Sequence, residues 1–401
     1  MKRLFEKDIP EASGLICSGA LVAVPTETVY GLAGNGLDEK AVERIYEVKG
    51  RPAVKPISLM VHDSAAMELY CEDVPDSARM LADKFWPGPL TIVLKSKACV
   101  PEIVRAGGDT VGLRCPDHPM TLALLRECGV PLAAPSANPS ELPSPKNADK
   151  VVEYFGDKIE AVIDGGECGI GFESTIIDMS RRPYRILRQG ALSEKDIIKA
   201  LIEDMLVVGI TGGSGCGKTT ALDVLLDFGG LVVDCDRVYH ELLESNGEML
   251  SELAERFPGT VSAGKLDRKA LGGIVFKDES AMADLNRITH SYISREIENR
   301  LSSWAMEGGK LVGLDAIELI SSGINGCCDV LIGVLADKNT RVKRIMQRDS
   351  IDENAALLRI NAQKPDEYFI NNCTHILYNN DTEQEFRDSV VNLLMEVIRN
   401  G

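Results

Sequence analysis

The chain has 401 residues, 44% hydrophobic and 26% charged, with a net charge of −17 and an isoelectric point near 4.9. At about 100–200 residues per domain this length predicts two domains or three small ones. The composition excludes a disordered chain, a collagen-like repeat and a coiled-coil rod, and two acidic halves argue against a general nucleic-acid-binding field, though not against a local basic cleft.

The opening stretch, MKRLFEKDIPEASGLICSGALVAVPTE, is charged throughout and does not read as a signal peptide. Nowhere is there an apolar run of the length that a membrane span needs. Cys17, Cys71, Cys99, Cys115, Cys128, Cys168, Cys216, Cys235, Cys327, Cys328 and Cys373 are scattered, with no C-x-x-C pair. They predict reduced, mostly buried thiols in a cytoplasmic protein. The histidines form no zinc-ligand pattern.

In chain order, short apolar runs predict strands at 21–24, 57–61, 90–94, 111–114, 161–164, 175–178 and 184–187. Helices are predicted over 38–49, where Ala41, Ile45 and Val48 share a face, and over 77–85, 120–128 and 146–155. Between them run Pro-rich loops, WPGP at 86–89 and APSANPSELPSP at 134–145. Loops this long in a compact domain are usually functional or disordered. A helix over 192–203, with Ser193 as its N-cap, runs almost directly into a strand at 206–210. Here the pattern changes, and the expected division is 1–204 and 205–401. The alternation of strands and helices makes both halves α/β.

The strongest motif opens the second half. Strand LVVGI leads into TGGSGCGKTT, which matches G-x-x-x-x-G-K-[ST]. Gly212, Gly213, Gly215 and Gly217 let the backbone curl, so that N–H groups along Ser214, Cys216 and Thr220 turn toward phosphate. Lys218 supplies a cation for the outer phosphates, and Thr219 a hydroxyl for Mg²⁺ accompanying ATP. The helix that begins there adds its positive end. LVVDCD follows, with Asp234 and Asp236 at a strand terminus. Asp234 suits a general base on an acceptor hydroxyl and Asp236 an orienting group, although one of them could instead cap the next helix. A strand over 310–314 ends at Asp315, a second carboxylate for the same crevice. After the strand at 330–335, Arg341, Arg344 and Arg348 share one helix face, either as a phosphate lid or as a solvated stripe.

The first half lacks such a loop. Its polar residues cluster in PTETVYGL at 25–32, KGRPAVKP at 49–56, DTVGLRCP at 109–116, APSANPS at 134–140, FESTI at 172–176 and ILRQG at 186–190. Lys49, Arg51 and Lys55 place three cations within seven residues of an acidic chain, which suits an anionic ligand such as a nucleotide.

The second half, with GITGGSGCGKTT, VDCDRVYHELLE, LDRKALGGIVFKD and RIMQRDSIDENAALLRINAQKPDEYF, resembles dephospho-CoA kinases over about 206–398. That resemblance implies a parallel sheet with a helical lid, and ATP-dependent phosphorylation of the 3′-hydroxyl of dephospho-CoA. It makes Asp234 the base and Arg344 and Arg348 ATP-binding lid residues, with Arg359 and Gln363 continuing the pattern. Two departures are His290-Ser291 in place of His-Pro, and DAIELISSG in place of an aspartate followed by a Pro-Leu-Leu-Phe-Glu run. The first half resembles the YrdC-like threonylcarbamoyl-AMP synthases over about 10–200. This implies a twisted mixed sheet, and a reaction of L-threonine, bicarbonate and ATP. Lys49, Arg51, Thr110, Ser136, Asn138, Ser144 and Arg188 would then contact ATP, with Lys49 and Arg51 catalytic. Thr28, His62, Arg114, Ala134 and Ser174 would contact threonine. The product would pass to a tRNA threonylcarbamoyl transferase complex; direct tRNA binding stays open. Lys55 stands where the family often has asparagine. The residue patterns also leave open a nucleoside or nucleotide kinase joined to a YrdC-like RNA-binding or regulatory module.

Overall fold

The structure, a computed structural model, describes residues 1–316, 319–320 and 324–400. It consists of two compact units, Met1–Asp204 with Met306–Gly308, and Met205–Ala305 with Gly309–Gly401.

The first unit is built on a ten-stranded mixed sheet. Its strands are β1 (Lys2–Leu4), β2 (Val22–Val24), β3 (Gly31–Asn35), β4 (Leu59–Met60), β5 (Leu90–Lys95), β6 (Thr110–Arg114), β7 (Leu132–Ala133), β8 (Ala161–Ile163), β9 (Thr175–Asp178) and β10 (Arg185–Arg188). They lie in the order β1-β8-β2-β3-β7-β4-β6-β5-β9-β10. The run β2-β3-β7-β4 is antiparallel throughout, and parallel pairs flank it. One core cluster packs Ile9, Ala12 and Ile16 of the helix Ile9–Cys17 against Val22, Val24 and Ile163 of the sheet. The helix Glu39–Lys49 starts where Asp38 accepts the Lys40 N–H, and it stops at Gly50, whose φ of 59° ends the turn.

Three strands and three helices of this unit, Ile9–Cys17 and the short Ala66–Tyr70 and Glu102–Arg105, escape the sequence pattern. β1 carries two charges, and β7 has only two residues. β3 reads GLAGN, without the β-branched residues that mark a strand. It pairs nonetheless, because its small residues let neighbours close in; a Cβ on Gly34 would lie 3.0 Å from Leu21. Ile9–Cys17 contains Gly14 and Ser13, poor helix formers, but buries Ile9 and Ile16. The strand expected at 57–61 shortens to β4.

The second unit has a five-stranded, fully parallel sheet in the order β12-β15-β11-β16-β17. These are β11 (Leu206–Thr211), β12 (Leu231–Asp234), β15 (Leu311–Asp315), β16 (Val330–Leu335) and β17 (His375–Tyr378). A small hairpin, β13 (Val261–Ser262) with β14 (Lys265–Leu266), stands apart. The core joins Ile210, Ile332 and Val334 of the sheet to Leu225 of the helix Lys218–Asp227 and to Phe386 and Leu394 of the helix Glu383–Asn400.

The expected LVVDCD strand ends at Asp234, and the next helix begins at Cys235 because Asp234 Oδ1 accepts the Arg237 N–H at 2.9 Å. His290 and Ser291 lie inside the helix Glu279–Met306, where Ser291 donates back to Ile288 O at 2.7 Å. Of the DAIELISSG run, positions 317, 318 and 321–323 lie outside the described residues. The cysteines are less buried than expected: Cys71, Cys115, Cys216 and Cys235 are buried, but Cys17, Cys99 and Cys327 are exposed. No described helix is long and apolar enough to cross a membrane.

Candidate active sites

In the first unit, the loops that leave β2 and β7, the segment that enters β9 and the end of the helix Glu39–Lys49 surround a cavity of about 800 Å³. Its wall includes Lys49, Arg51 and Lys55 from one side and Ser136, Asn138 and Ser144 from the long Pro-rich loop. Arg114, Ala134, Ser174 and Arg188 complete the set of expected residues that line it.

Arg51, Arg188 and Lys49 are held by named partners. Arg51 donates to Pro56 O at 2.8 Å and to Lys55 O at 3.2 Å. Arg188 bonds Ser174 O through Nε and Nη2, at 3.1 and 2.9 Å, and pairs with Glu173 through Nη1. Glu173 also accepts from Ser144 Oγ at 3.0 Å. Lys49, 3% exposed, donates to Ser136 O and Asn138 O. Burial, with Arg51 nearby, pushes its ammonium down to about 7.

A second cluster adjoins the cavity. Arg114 Nη2 is 2.7 Å from both Glu27 Oε1 and Thr28 Oγ1, and its Nε reaches Gly88 O at 3.3 Å. Glu27 Oε2 accepts the Asp117 N–H at 3.0 Å. Arg114 Nη1 takes part in none of these bonds, and it suits a ligand carboxylate. Ser174 Oγ lies 2.8 Å from Thr91 Oγ1. Two expected residues stand elsewhere. Thr110 begins β6 opposite Lys95, and His62 bonds Asp63 and Arg126; neither lines the cavity.

In the second unit the chemistry gathers at the carboxyl edge of the parallel sheet, the usual ligand crevice of such sheets. Register sets Asp315 beside both Asp234 and Ile210, so the two carboxylates and the start of the glycine loop share one level. Asp315 Oδ1 is buried without a hydrogen-bond partner. Burial and the nearby Asp234 and Asp236 raise its carboxyl to about 6, despite the opposing pull of Lys218.

The loop itself tolerates only glycine at three points, one of them Gly215, with φ of 80° and a Cβ that would lie 2.9 Å from Arg341 O. Gly212 has φ of 145°, and a Cβ there would lie 2.2 Å from Val334 O. Gly217 has φ of 99°, and its Cβ would lie 2.0 Å from Asn379 Nδ2. Lys218 Nζ reaches back to Gly212 O at 3.0 Å. Thr219 and Thr220 follow in the first turn of the helix Lys218–Asp227, where backbone N–H groups and the helix dipole favour anions. Cys216 is buried, with its thiol pushed up by burial.

The arginines of the helix Lys338–Asp349 divide. Arg341 Nε donates to Ser214 O at 3.0 Å, and Arg344 donates to Gly215 O at 3.4 Å and Asn379 Oδ1 at 3.0 Å. Arg348 pairs with Asp349, as does Arg359. Gln363 Oε1 accepts from the Ser214 N–H and from Arg341, both at 2.9 Å. The donor set fits a nucleotide with an accompanying hard cation: glycine-backed N–H groups and an ammonium for the nucleotide, and a threonine hydroxyl and oxygen donors at the strand ends, which would hold the cation. Among the described residues no group of three or more His, Cys, Asp or Glu is arranged to hold a metal by itself.

The Sua5–YciO–YrdC family model, described as telomere recombination, matches residues 14–190, and the dephospho-CoA kinase model matches 206–385. The chain is 46% identical over 213 residues to a threonylcarbamoyl-AMP synthase of Pyrococcus abyssi, covering 53% of this chain and 63% of that protein. Identity to a putative threonylcarbamoyl-AMP synthase of Methanocaldococcus jannaschii is 40% over 178 residues, 44% of this chain and 83% of that one. A dephospho-CoA kinase of Corynebacterium glutamicum is 31% identical over 195 residues, 48% of this chain and 100% of its own length. The chain belongs to both families. It spans about half to two thirds of the length of the first synthase relatives it matches.

Sequence reasoning passes over several residues in both family regions. In the YrdC-family unit these are Glu173, which ties Arg188 to Ser144, and the role of Glu27, displayed at its turn with Thr26 and Thr28, as the anchor of Arg114. In the kinase-family unit, Asn379 bonds Cys216 O at 2.9 Å and also accepts from Arg344. Asn379 follows β17, 162 positions beyond Gly217, and no spacing rule links such distant residues. Only the TET triplet at 26–28 and the glutamate of FESTI advertise the first two.

Proposed function

We propose that the chain is a bifunctional enzyme. Its first unit makes threonylcarbamoyl-AMP from L-threonine, bicarbonate and ATP, and its second phosphorylates the 3′-hydroxyl of dephospho-CoA with ATP. The observation that carries this reading is the coexistence of two separate anion sites in one chain, a cation-walled cavity and a glycine loop, each inside its own family region.

In the first unit the threonine carboxylate meets Arg114 Nη1 and Thr28, with Ala134 and Ser174 beside them. Arg51 and Arg188, in a wall shared with Lys49, Ser136, Asn138 and Ser144, face the phosphates. The threonine amine adds to bicarbonate and loses water to give a carbamate. A carbamate oxygen then attacks the α-phosphorus, and pyrophosphate leaves. Little proton transfer is needed, so positioning and charge stabilisation supply the rate. The product serves a tRNA threonylcarbamoyl transferase complex in the cytosol.

In the second unit Lys218 and the loop N–H groups hold the outer phosphates, and Arg344 and Arg348 belong to the closing helix. Asp234 Oδ1 is occupied by its cap, which fixes the carboxylate, and Oδ2 takes no part in that bond. Asp234 accepts the proton of the 3′-hydroxyl as its oxygen attacks the γ-phosphorus and ADP leaves. Thr219 would hold Mg²⁺, which neutralises phosphate charge when bound.

The deciding experiment is a product assay on the purified full chain. Pyrophosphate release that needs both threonine and bicarbonate, together with CoA formation from dephospho-CoA, is expected. A first unit that binds tRNA but makes no adenylate, or a second that prefers a nucleoside among a panel of acceptors, would overturn the corresponding half.

A further inference from the structure

We infer that Lys49 is a positioning residue which pins the Ser136–Ser140 loop to the end of its helix, and is not a direct phosphate ligand. This rests on reading the cavity as the ATP site of the first unit.

Lys49 is the last residue of the helix Glu39–Lys49 and is 3% exposed. Its Nζ donates to two backbone carbonyls, Ser136 O and Asn138 O. The bond is returned from the far side of the same loop, since the Ser140 N–H donates to Lys49 O at 2.8 Å. One residue therefore holds three points of a five-residue segment. Among the described residues, one other backbone bond ties that segment down, Ala137 N–H to Tyr30 O at 2.7 Å, just before β3. Asn138 then spends its amide hydrogens within the loop, on Pro139 O and Leu142 O. Ser136, Asn138 and Ser144, the hydroxyl and amide groups of this wall, depend on that conformation.

The amine chemistry agrees. Burial brings Lys49 down to about 7, so its charge is poorly fixed near neutral pH. Its ability to donate is not lost, because a neutral amine still offers two hydrogens to two carbonyls. A guanidinium such as that of Arg51, although burial lowers it, stays a cation across the same range. Loop-holding and charge are thus divided among neighbouring residues.

The test compares Lys49→Met, Lys49→Gln and Arg51→Met in the full chain. Hydrogen exchange of the Ala137, Asn138 and Ser140 amides is measured without any nucleotide. Lys49→Met should speed that exchange about tenfold or more while the amides of β2 stay protected. Lys49→Gln, a neutral donor, should recover part of the protection. Arg51→Met should leave exchange unchanged yet raise the KM for ATP in threonine-dependent pyrophosphate release. Unchanged loop exchange in Lys49→Met overturns the inference, as does a Lys49→Gln variant no better protected than Lys49→Met. If wild type releases no threonine-dependent pyrophosphate, the functional reading fails instead, and the exchange data still decide the pin.

Discussion

On the proposed reading, the two halves grip a nucleotide's phosphates by opposite constructions. In the second unit one continuous segment, Gly212–Thr219, holds most of the grip. In the first, the wall draws on separate segments spread from Val29 to Arg188. A contiguous loop binds through backbone N–H groups, so its requirements are spacing and the absence of side chains. A dispersed wall binds through side chains, so its requirements are the fold that assembles them. The first kind of site is robust to its surroundings and intolerant at its glycines; the second shares its load.

The sharpest way to break this contrast is in the kinase-family unit. Asp234→Asn should slow dephospho-CoA phosphorylation about 10²–10⁴-fold, the usual range for a general base, with ATP binding nearly normal. Threonine-dependent pyrophosphate release should be untouched. A defect confined to ATP binding would make Asp234 a structural cap alone. Lys218→Ala should cost about 10²–10³-fold in rate and weaken ATP as well, measured by initial rates over an ATP series.

The dispersed wall should respond more gently. Arg51→Ala is expected to raise the KM for ATP in the threonine reaction about tenfold, in line with losing one charged hydrogen bond. A collapse as deep as that of Lys218→Ala would mean that the load is not shared. Acidity offers a smaller probe. Asp315 ionises at about 6 in the fold against an ordinary 3.8, so the native state holds the extra proton between those values. Relative to Asp315→Asn, wild type should therefore be stabilised at low pH and lose that advantage as pH rises through about 6, read from melting temperatures between pH 4 and 7. The smallest effect should come from cutting the chain after Asp204. Each unit has its own sheet and core, so each fragment should remain folded by circular dichroism and keep its own reaction.

How much could be read in advance follows the same divide. The glycine loop, the strand before it and the helix after it lie where the spacing puts them, because all three belong to one local motif. Both carboxylates at the strand ends are legible for the same reason, since an apolar run that stops at an aspartate marks its own boundary. The choice between base and cap for Asp234 is not, and the structure gives it the cap bond. In the first unit the individual segments are visible, but their convergence is not. Lys49 and Ser136 lie 87 positions apart, and Arg114 and Thr28 lie 86 apart. β3 hides because close packing, rather than β-propensity, selects its glycines. Asn379 hides because its duty is to the backbone of a distant loop, which leaves no periodicity behind, whereas Gln363, with a similar duty, shows only through the family pattern.

The all-parallel sheet of the second unit has a practical corollary for engineering. Every strand delivers its carboxyl end to the ligand edge, so every return connection surfaces at the opposite edge. The Gly229–Gly230 turn, between the helix Lys218–Asp227 and β12, is one such return. Gly229 is open to any side chain's volume, with nothing within 4 Å of a Cβ, but its φ of 74° keeps it a glycine position. A reporter group is therefore better placed by inserting residues beside Gly229 than by replacing it. There a fluorophore or affinity tag can ride on the kinase-family unit at the edge of the sheet away from the nucleotide.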